Sequence, residues 1–327
     1  MFLKPECYIK DRKKPEIYSG TPTFMGLPKA NNKEEISEYD LAFMGVPWEG
    51  ICTWGGYTGC ELAVKSIRKA SLRYGAYLPE YDSDAFDYLC GCDYGDIVTD
   101  SSNIEKTLEN IEVKTTKVLN EDLIPITFGG DHSITYPIIS ALSKKHNGKI
   151  GIIHLDAHLD NLDLYGDSKY ARCSPFRRIY EIDNLNPENI IHLGIRGPRN
   201  NPKGMKAAKE AGAVVMNSFE IKEKGIDYTI KKALEVAKKD TEAVYVSVCS
   251  DVLDVAFNPG GPPDFCGLSS YELAKILYGI AEAGIDGFDI VEIYPPSDRN
   301  DVSSHAAVWM IVYILNGLAK YKESVEK

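Results

Sequence analysis

The chain has 327 residues, of which 44% are hydrophobic and 26% charged, ordinary values for a folded protein able to bury a large core. With 37 basic and 48 acidic side chains the net charge is −11, and the lack of a long basic block excludes an electrostatic footprint for nucleic acid. No apolar run approaching the roughly 18 residues of a membrane span is evident, and MFLKPECYIKDRKKPEIY has no apolar signal core, so no membrane partner and a cytoplasmic location are expected.

Residues 1–39 are polar and broken by Pro and Gly, which predicts an N-terminal arm lying on the body or on a neighbouring subunit. Beyond it strand-like and helix-like runs alternate. In chain order they are a strand over 41–46, a helix over 62–74, a helix over 103–119, a strand over 124–128 and a helix over 135–145. Strands over 149–155, 190–195 and 213–216 follow, with a helix over 204–211, then a helix over 227–238 and a strand over 243–248. A helix over 270–283, a strand over 287–293 and a helix over 305–318 complete the chain. Short apolar strands between amphipathic helices predict an α/β fold: three αβα layers around a mainly parallel sheet, in a single domain over 1–327. Eight scattered cysteines form no zinc-ribbon spacing, so most are expected to be free thiols, and Cys90-Gly91-Cys92 is too tight to read as a site.

In such folds ligands bind beyond the carboxyl ends of the strands. Asp131 and His132 follow the strand ending at Phe128. Asp156, His158 and Asp160, in GIIHLDAHLDNLD, fall at alternating positions and share one face of an extended chain. Taken alone that comb also reads as a polar strand end. Cys249 and Asp251 follow a third strand and Glu292 ends a fourth, and four strand ends carrying acids and imidazoles point to a metal hydrolase. His154 is expected to be a hydrogen-bonded core or supporting residue rather than a ligand, His146 to be solvated, and His192 and His305 to be structural. Trp48 and Trp54 flank a Gly-rich turn and are expected to pack beneath it rather than line a substrate mouth.

GGDHS (129–133), DAHLD (156–160), SVCSDVLDVAFNPG (247–260) and GFDIVEIYP (287–295) resemble, in this order, the signature segments of the ureohydrolase family, which includes arginase and agmatinase. GVPWEG (45–50), SIRKAS (66–71), SPFRR (174–178) and LGIRG (193–197) support the resemblance. It implies an arginase-like fold and two Mn²⁺ ions that activate hydroxide against the carbon of a linear guanidino or amidino group. Carried over, His132, Asp156 and Asp160 would bind one metal and His158 and Asp251 the other, with Asp156 bridging. Asp156, Asp251 and Glu292 would be the catalytic residues, Glu292 holding the substrate's cation. Asp131 would orient His132 or close its turn. A homo-oligomer, trimer or hexamer, is also implied.

Two positions depart from the family pattern. Where a second bridging Asp is expected the chain has Cys249, which reads as a soft metal ligand favouring Ni²⁺, Fe²⁺ or Zn²⁺, as a buried thiol in a damaged site, or as a nucleophile. Where the family has a His in H-G-x-P-F, the chain has Arg172, which cannot act as an acid or base but would bind an anionic substrate tail. PGGPPDFCGL (259–268) is also shorter than the family's segment, and Cys173 and Cys266 are placed near the entrance as redox-sensitive candidates. The alternative reading is a non-catalytic or regulatory protein with an impaired metal site.

Overall fold

The computed structural model describes residues 22–51 and 57–326. Its strands are β1 (Leu41–Gly45), β2 (Tyr77–Leu78), β3 (Ser83–Asp84), β4 (Gly91–Asp96), β5 (Ile124–Phe128), β6 (Ile150–Leu155), β7 (Ile190–Ile195), β8 (Val214–Asn217), β9 (Ala243–Cys249) and β10 (Gly287–Val291). Its helices are α1 (Lys33–Ile36), α2 (Ala63–Ser71), α3 (Ile104–Leu119), α4 (Thr135–Lys145), α5 (Pro175–Tyr180), α6 (Pro202–Ala211), α7 (Ser218–Lys224), α8 (Ile226–Ala237), α9 (Ser270–Ala281) and α10 (Val302–Glu326).

Eight strands form one sheet in the order β4-β1-β5-β10-β9-β6-β7-β8, and every neighbouring pair is parallel. The strands are buried on both faces because their side chains alternate between two cores. Leu41 and Phe43 enter one with α2, α9 and α10, while Ala42 and Met44 enter the other with α3 and α4. The expected three-layer arrangement therefore forms. Chain order and sheet order diverge at its centre: β10 and β9 lie between β5 and β6, so the carboxyl ends of these four strands are neighbours.

Strand β4 was absent from the sequence expectation. Its sequence, GCDYGD, has two glycines and no β-branched residue, and it carries a buried acid, Asp93. Asp93 takes a two-pronged ion pair from Arg68, with Nε at 2.8 Å and Nη2 at 2.9 Å, and also accepts from the Phe24 backbone N–H at 2.7 Å. The last contact fastens the described part of the N-terminal arm to the body. Phe24 stacks on Phe43 with centroids 4.6 Å apart, and Phe24, Met25 and Leu27 are core residues. Residues 1–21 of the arm lie outside the described residues.

Helix α10 corrects the expectation about apolar length. It contains a stretch long and apolar enough to cross a membrane, but 78% of that stretch is buried inside the protein, packed on α9 and α2. Helices α5 and α7, with six and seven residues, were too short to show a clear period in sequence.

Gly151 in β6 lies against the end of α8, where an added Cβ would fall 1.7 Å from the Ala237 carbonyl oxygen. Backbone cannot yield as a side chain does. Gly151→Ala is expected to cost on the order of 3 kcal/mol, read as a lower urea midpoint with an unchanged m-value.

Candidate metal centre and substrate cavity

After β5 the chain turns through Gly129 and Gly130, with φ of 91° and 73°. A Cβ on Gly130 would lie 2.7 Å from the Val46 carbonyl oxygen, so this turn requires glycine. Asp131 closes it, accepting from the Ser133 N–H at 2.9 Å and reaching across to the Gly50 N–H at 2.6 Å. Of its two expected roles, Asp131 takes the turn-closing one.

The turn delivers a fully buried His132 ring. Ser247 donates its hydroxyl to Asp289 at 2.7 Å, so its oxygen is free to accept from His132 Nε2 at 3.1 Å. That places a proton on Nε2 and turns Nδ1 toward the acids. Nδ1 lies 3.0 Å from Asp156 Oδ2 and 3.0 Å from Asp160 Oδ2. Between two carboxylates Nδ1 carries either a proton or a metal ion. The electrostatics favour a positive charge at this point: burial pulls the ring's pKa down, but Asp156 and Asp160 outweigh burial and hold it well above the ordinary value, so a proton on Nδ1 and a metal ion compete for the same place.

Beyond β6, His158 Nδ1 lies 3.0 Å from Asp251 Oδ2 and 3.4 Å from Asp156 Oδ1. Asp251 is locked by the Ala157 N–H to Oδ1 at 3.0 Å, and Asp156 by the His158 N–H to Oδ1 at 2.6 Å. Burial opposes ionisation of Asp156, yet His132, His154 and His158 around it bring its pKa well below the usual range. Asp160 moves the other way: burial, reinforced by the Asp156 charge, pushes it up to about 6. Its backbone is held at φ 42°, a left-handed conformation that turns the carboxylate back toward His132. Among the described residues, Asp156, His158 and Asp251 form one group with metal-sized spacing and His132, His154 and Asp156 another, so Asp156 belongs to both.

His154 sits behind this cluster. Its Nε2 is 3.0 Å from Asp156 Oδ2, its Nδ1 2.7 Å from His192 Nδ1, and Tyr180 Oη lies 2.6 Å from His192 Nε2. Phe176 stacks on the His154 ring at 3.8 Å, and burial lowers the ring's pKa to about 4, which suits a neutral supporting group. His192 is thereby tied to the site, whereas His305 bonds Tyr74 at 2.8 Å and lines a separate groove. His146 is partly exposed, 3.7 Å from Glu242.

Cys249 ends β9 and is 2% exposed. It belongs to neither of the two metal-spaced groups that share Asp156, nor to a third, Glu49, Cys60 and Glu61, but lines the same cavity as His158, Asp160 and Asp251. Burial, and then the charges of Asp156 and Asp251, push its thiol well up. A protonated thiol is a poor nucleophile.

This cavity, of about 300 Å³, also reaches Arg172, Cys173, Glu292 and Tyr294. Arg172 is not placed as expected. Its guanidinium is buried on acids, with Nη1 3.2 Å from Glu292 Oε2 and Nη2 2.9 Å from Glu49 Oε1, and it donates to the Tyr294 hydroxyl. Glu292, at φ 64°, also accepts from the His132 N–H at 2.8 Å and from Tyr294. Burial pushes the Glu292 carboxyl up to about 7 against the pull of Arg172. Sequence reasoning missed Glu49, Tyr294 and Asp264. Glu49 lies in the quoted GVPWEG segment just past β1, and Tyr294 stands two residues after Glu292, so position relative to strand ends was the available signal. Asp264, whose Oδ2 lies 3.5 Å from the unpartnered His158 Nε2, stands in the loop before α9, inside the quoted PGGPPDFCGL segment, which was read for its length and not for its acid. Trp48 is buried as expected, Trp54 lies outside the described residues, Cys173 lines the cavity and Cys266 is exposed.

A parallel α/β sheet whose four central strands end in carboxylate and imidazole donors around a shared aspartate defines a class of proteins built to place metal at a strand-end cavity. Within that class, the arginase family model matches residues 39–316, and the chain belongs to that family. It is 32% identical to a guanidinobutyrase of Pseudomonas aeruginosa, over 88% of this chain and 89% of that protein. It is 31% identical to a guanidinopropionase of the same organism, over 93% of each. The solved proclavaminate amidino hydrolase of Streptomyces clavuligerus superposes with a TM-score of 0.84 at 28% identity, covering 93% of this chain and 99% of that one.

Proposed function

We propose that the chain is a metal-dependent hydrolase of a C–N bond in a linear guanidino or amidino compound, releasing urea or a related amide. The observation that carries this reading is the convergence of His132 Nδ1, 3.0 Å from both Asp156 and Asp160, with a second group, His158 and Asp251, that shares Asp156, an arrangement with the donor set and spacing for metal ions. His132, Asp156 and Asp160 would hold one divalent ion and His158 and Asp251 the second, with Asp156 shared. Such a pair lowers the pKa of bound water enough to supply hydroxide near neutral pH.

The chain's own residues set the rest. Ser247 and Asp289 orient the His132 ring, and Asp264, paired to Arg199, lies near His158 Nε2 without a hydrogen bond to it. Glu292, at the far side of the cavity, offers charge to a cationic substrate group. Arg172 cannot take or give a proton at working pH, so no acid–base step is assigned to it.

The ion is proposed to be Mn²⁺ or, because Cys249 would add a soft donor, Ni²⁺, Fe²⁺ or Zn²⁺. Elemental mass spectrometry of protein incubated with each metal, followed by urea release from guanidino acids and agmatine, tests the reading. Close to two retained ions with turnover supports it, and no retained metal under any condition removes it. Cys249→Asp, which supplies the hard ligand expected at this position, is expected to raise Mn²⁺ retained per chain. If it instead abolishes an existing activity, the thiol is itself a working ligand. The second reading, a scaffold without efficient hydrolysis, is favoured by one observation: the Glu292 carboxylate is already engaged by Arg172.

A further inference from the structure

Glu292 has no fork left for a second guanidinium. Oε1 accepts the His132 N–H, and Oε2 accepts both Arg172 Nη1 and the Tyr294 hydroxyl. A guanidinium held bidentately needs two free lone pairs, one on each oxygen and in one plane. The group that holds the fork is itself a guanidinium, 4% exposed and lining the cavity that contains Cys249, Asp251 and His158.

We propose that Arg172 is a built-in guanidinium occupying the seat of the substrate's cation, formed by Glu49, Glu292 and Tyr294, so that substrate enters by exchanging one guanidinium for another. This deepens the function proposed above and rests on it for the identity of the incoming group. The exchange keeps buried carboxylates from standing without a cation, since leaving one uncompensated is costly. Three acids face Arg172, with Asp131 Oδ2 at 3.8 Å joining Glu49 and Glu292, so one arginine does not saturate the charge of the seat. Arg172 also fits it imperfectly. Its Nη1 and Nη2 are hydrogen-bonded, but its Nε is buried without a partner, so the seat leaves one of its donors unsatisfied. Arg172 lies in the long connection between β6 and α5, outside any strand or helix, where a side chain can swing without moving the sheet. The expectation that Arg172 steers an anionic tail gives way to a different role, control of access to Glu292.

The test measures binding of the guanidinium ion itself to Arg172→Ala and to Arg172→His, the second kept in case truncation to alanine prevents folding. Millimolar guanidinium chloride is expected to raise the melting temperature of either variant saturably relative to equal sodium chloride, and to leave the wild type unchanged. Calorimetry with metal-loaded protein is expected to show 4-guanidinobutanoate and agmatine both binding the variants more tightly, by about tenfold if Arg172 holds the seat about nine-tenths of the time. Arg199→Ala removes another cavity-lining charge, one paired to Asp264, and is expected to show no such response. Equal guanidinium responses in wild type and variants would overturn the proposal. So would a selective loss of affinity for the guanidino acid, which would make Arg172 a carboxylate anchor. The guanidinium-ion measurement needs neither turnover nor metal, so its result is independent of whether the chain hydrolyses any substrate.

Discussion

Asp156→Asn is expected to lose bound metal and to lower hydrolysis by at least about a hundredfold, exceeding the 10–100-fold typical of disrupting a residue that merely supports a ligand. The reason is its position: one carboxylate faces His132 and His154 through Oδ2 and His158 through Oδ1, so both proposed metal positions depend on it. Asparagine keeps the shape and one acceptor oxygen but removes the charge that balances the cations. The folded state should survive, because the backbone N–H of His158 still finds an oxygen. The checks are elemental analysis, urea release, and melting curves with and without Mn²⁺. Wild type should gain stability from the ion through mass action and the variant should not. Retained metal together with undiminished turnover would remove Asp156 from the centre of the site.

Asp93→Ala is expected to cause the largest loss of stability, roughly 3–5 kcal/mol, because it leaves the Arg68 guanidinium buried with its main partner gone. Arg68 is 5% exposed and Asp93 1% exposed, so water cannot replace the lost oxygens. Asp96 remains beside Arg68 Nη1, but its side chain is 41% exposed and it is a weaker counter-charge. The same substitution frees the Phe24 N–H, so the arm over 22–30 should become sensitive to protease before the sheet unfolds. Urea unfolding measures the first effect and limited proteolysis the second. A double change, Asp93→Leu with Arg68→Met, should recover much of the loss by replacing a buried ion pair with apolar volume. If the single variant is as stable as wild type, the pair is not what secures β4.

The site was legible where chemistry lies close along the chain. Asp156, His158 and Asp160 stand two residues apart just past a strand, so their closeness along the chain marked them, although β6 ends at Leu155 and the left-handed backbone at Asp160, not strand period, turns that carboxylate toward His132. Glu49 and Tyr294 had only their position past strand ends to mark them, because each is one polar residue in a loop and its meaning depends on Arg172, far away in sequence. Arg172 itself was read from its residue type, as an anion receptor. Its acidic neighbours come from the ends of β1, β5 and β10, and only packing shows that they surround it. Strand β4 escaped detection for a related reason: its buried acid is acceptable only beside Arg68 of α2.

By itself the sequence determined the layered α/β arrangement, through the alternation of apolar strands and amphipathic helices, and the donor residues, through acids and imidazoles placed just past strand ends. Both are local properties, set by backbone period and side-chain chemistry over a few residues. The tertiary structure alone decided that β10 and β9 insert between β5 and β6, bringing positions 132, 156, 251 and 292 to one rim. It alone decided that Asp156 is shared, that Cys249 lies beside the two metal-spaced groups rather than within them, and that Arg172 holds Glu292. These outcomes depend on strand order and on competition between charges buried in a medium of low dielectric, where a few ångströms decide which partner a carboxylate takes.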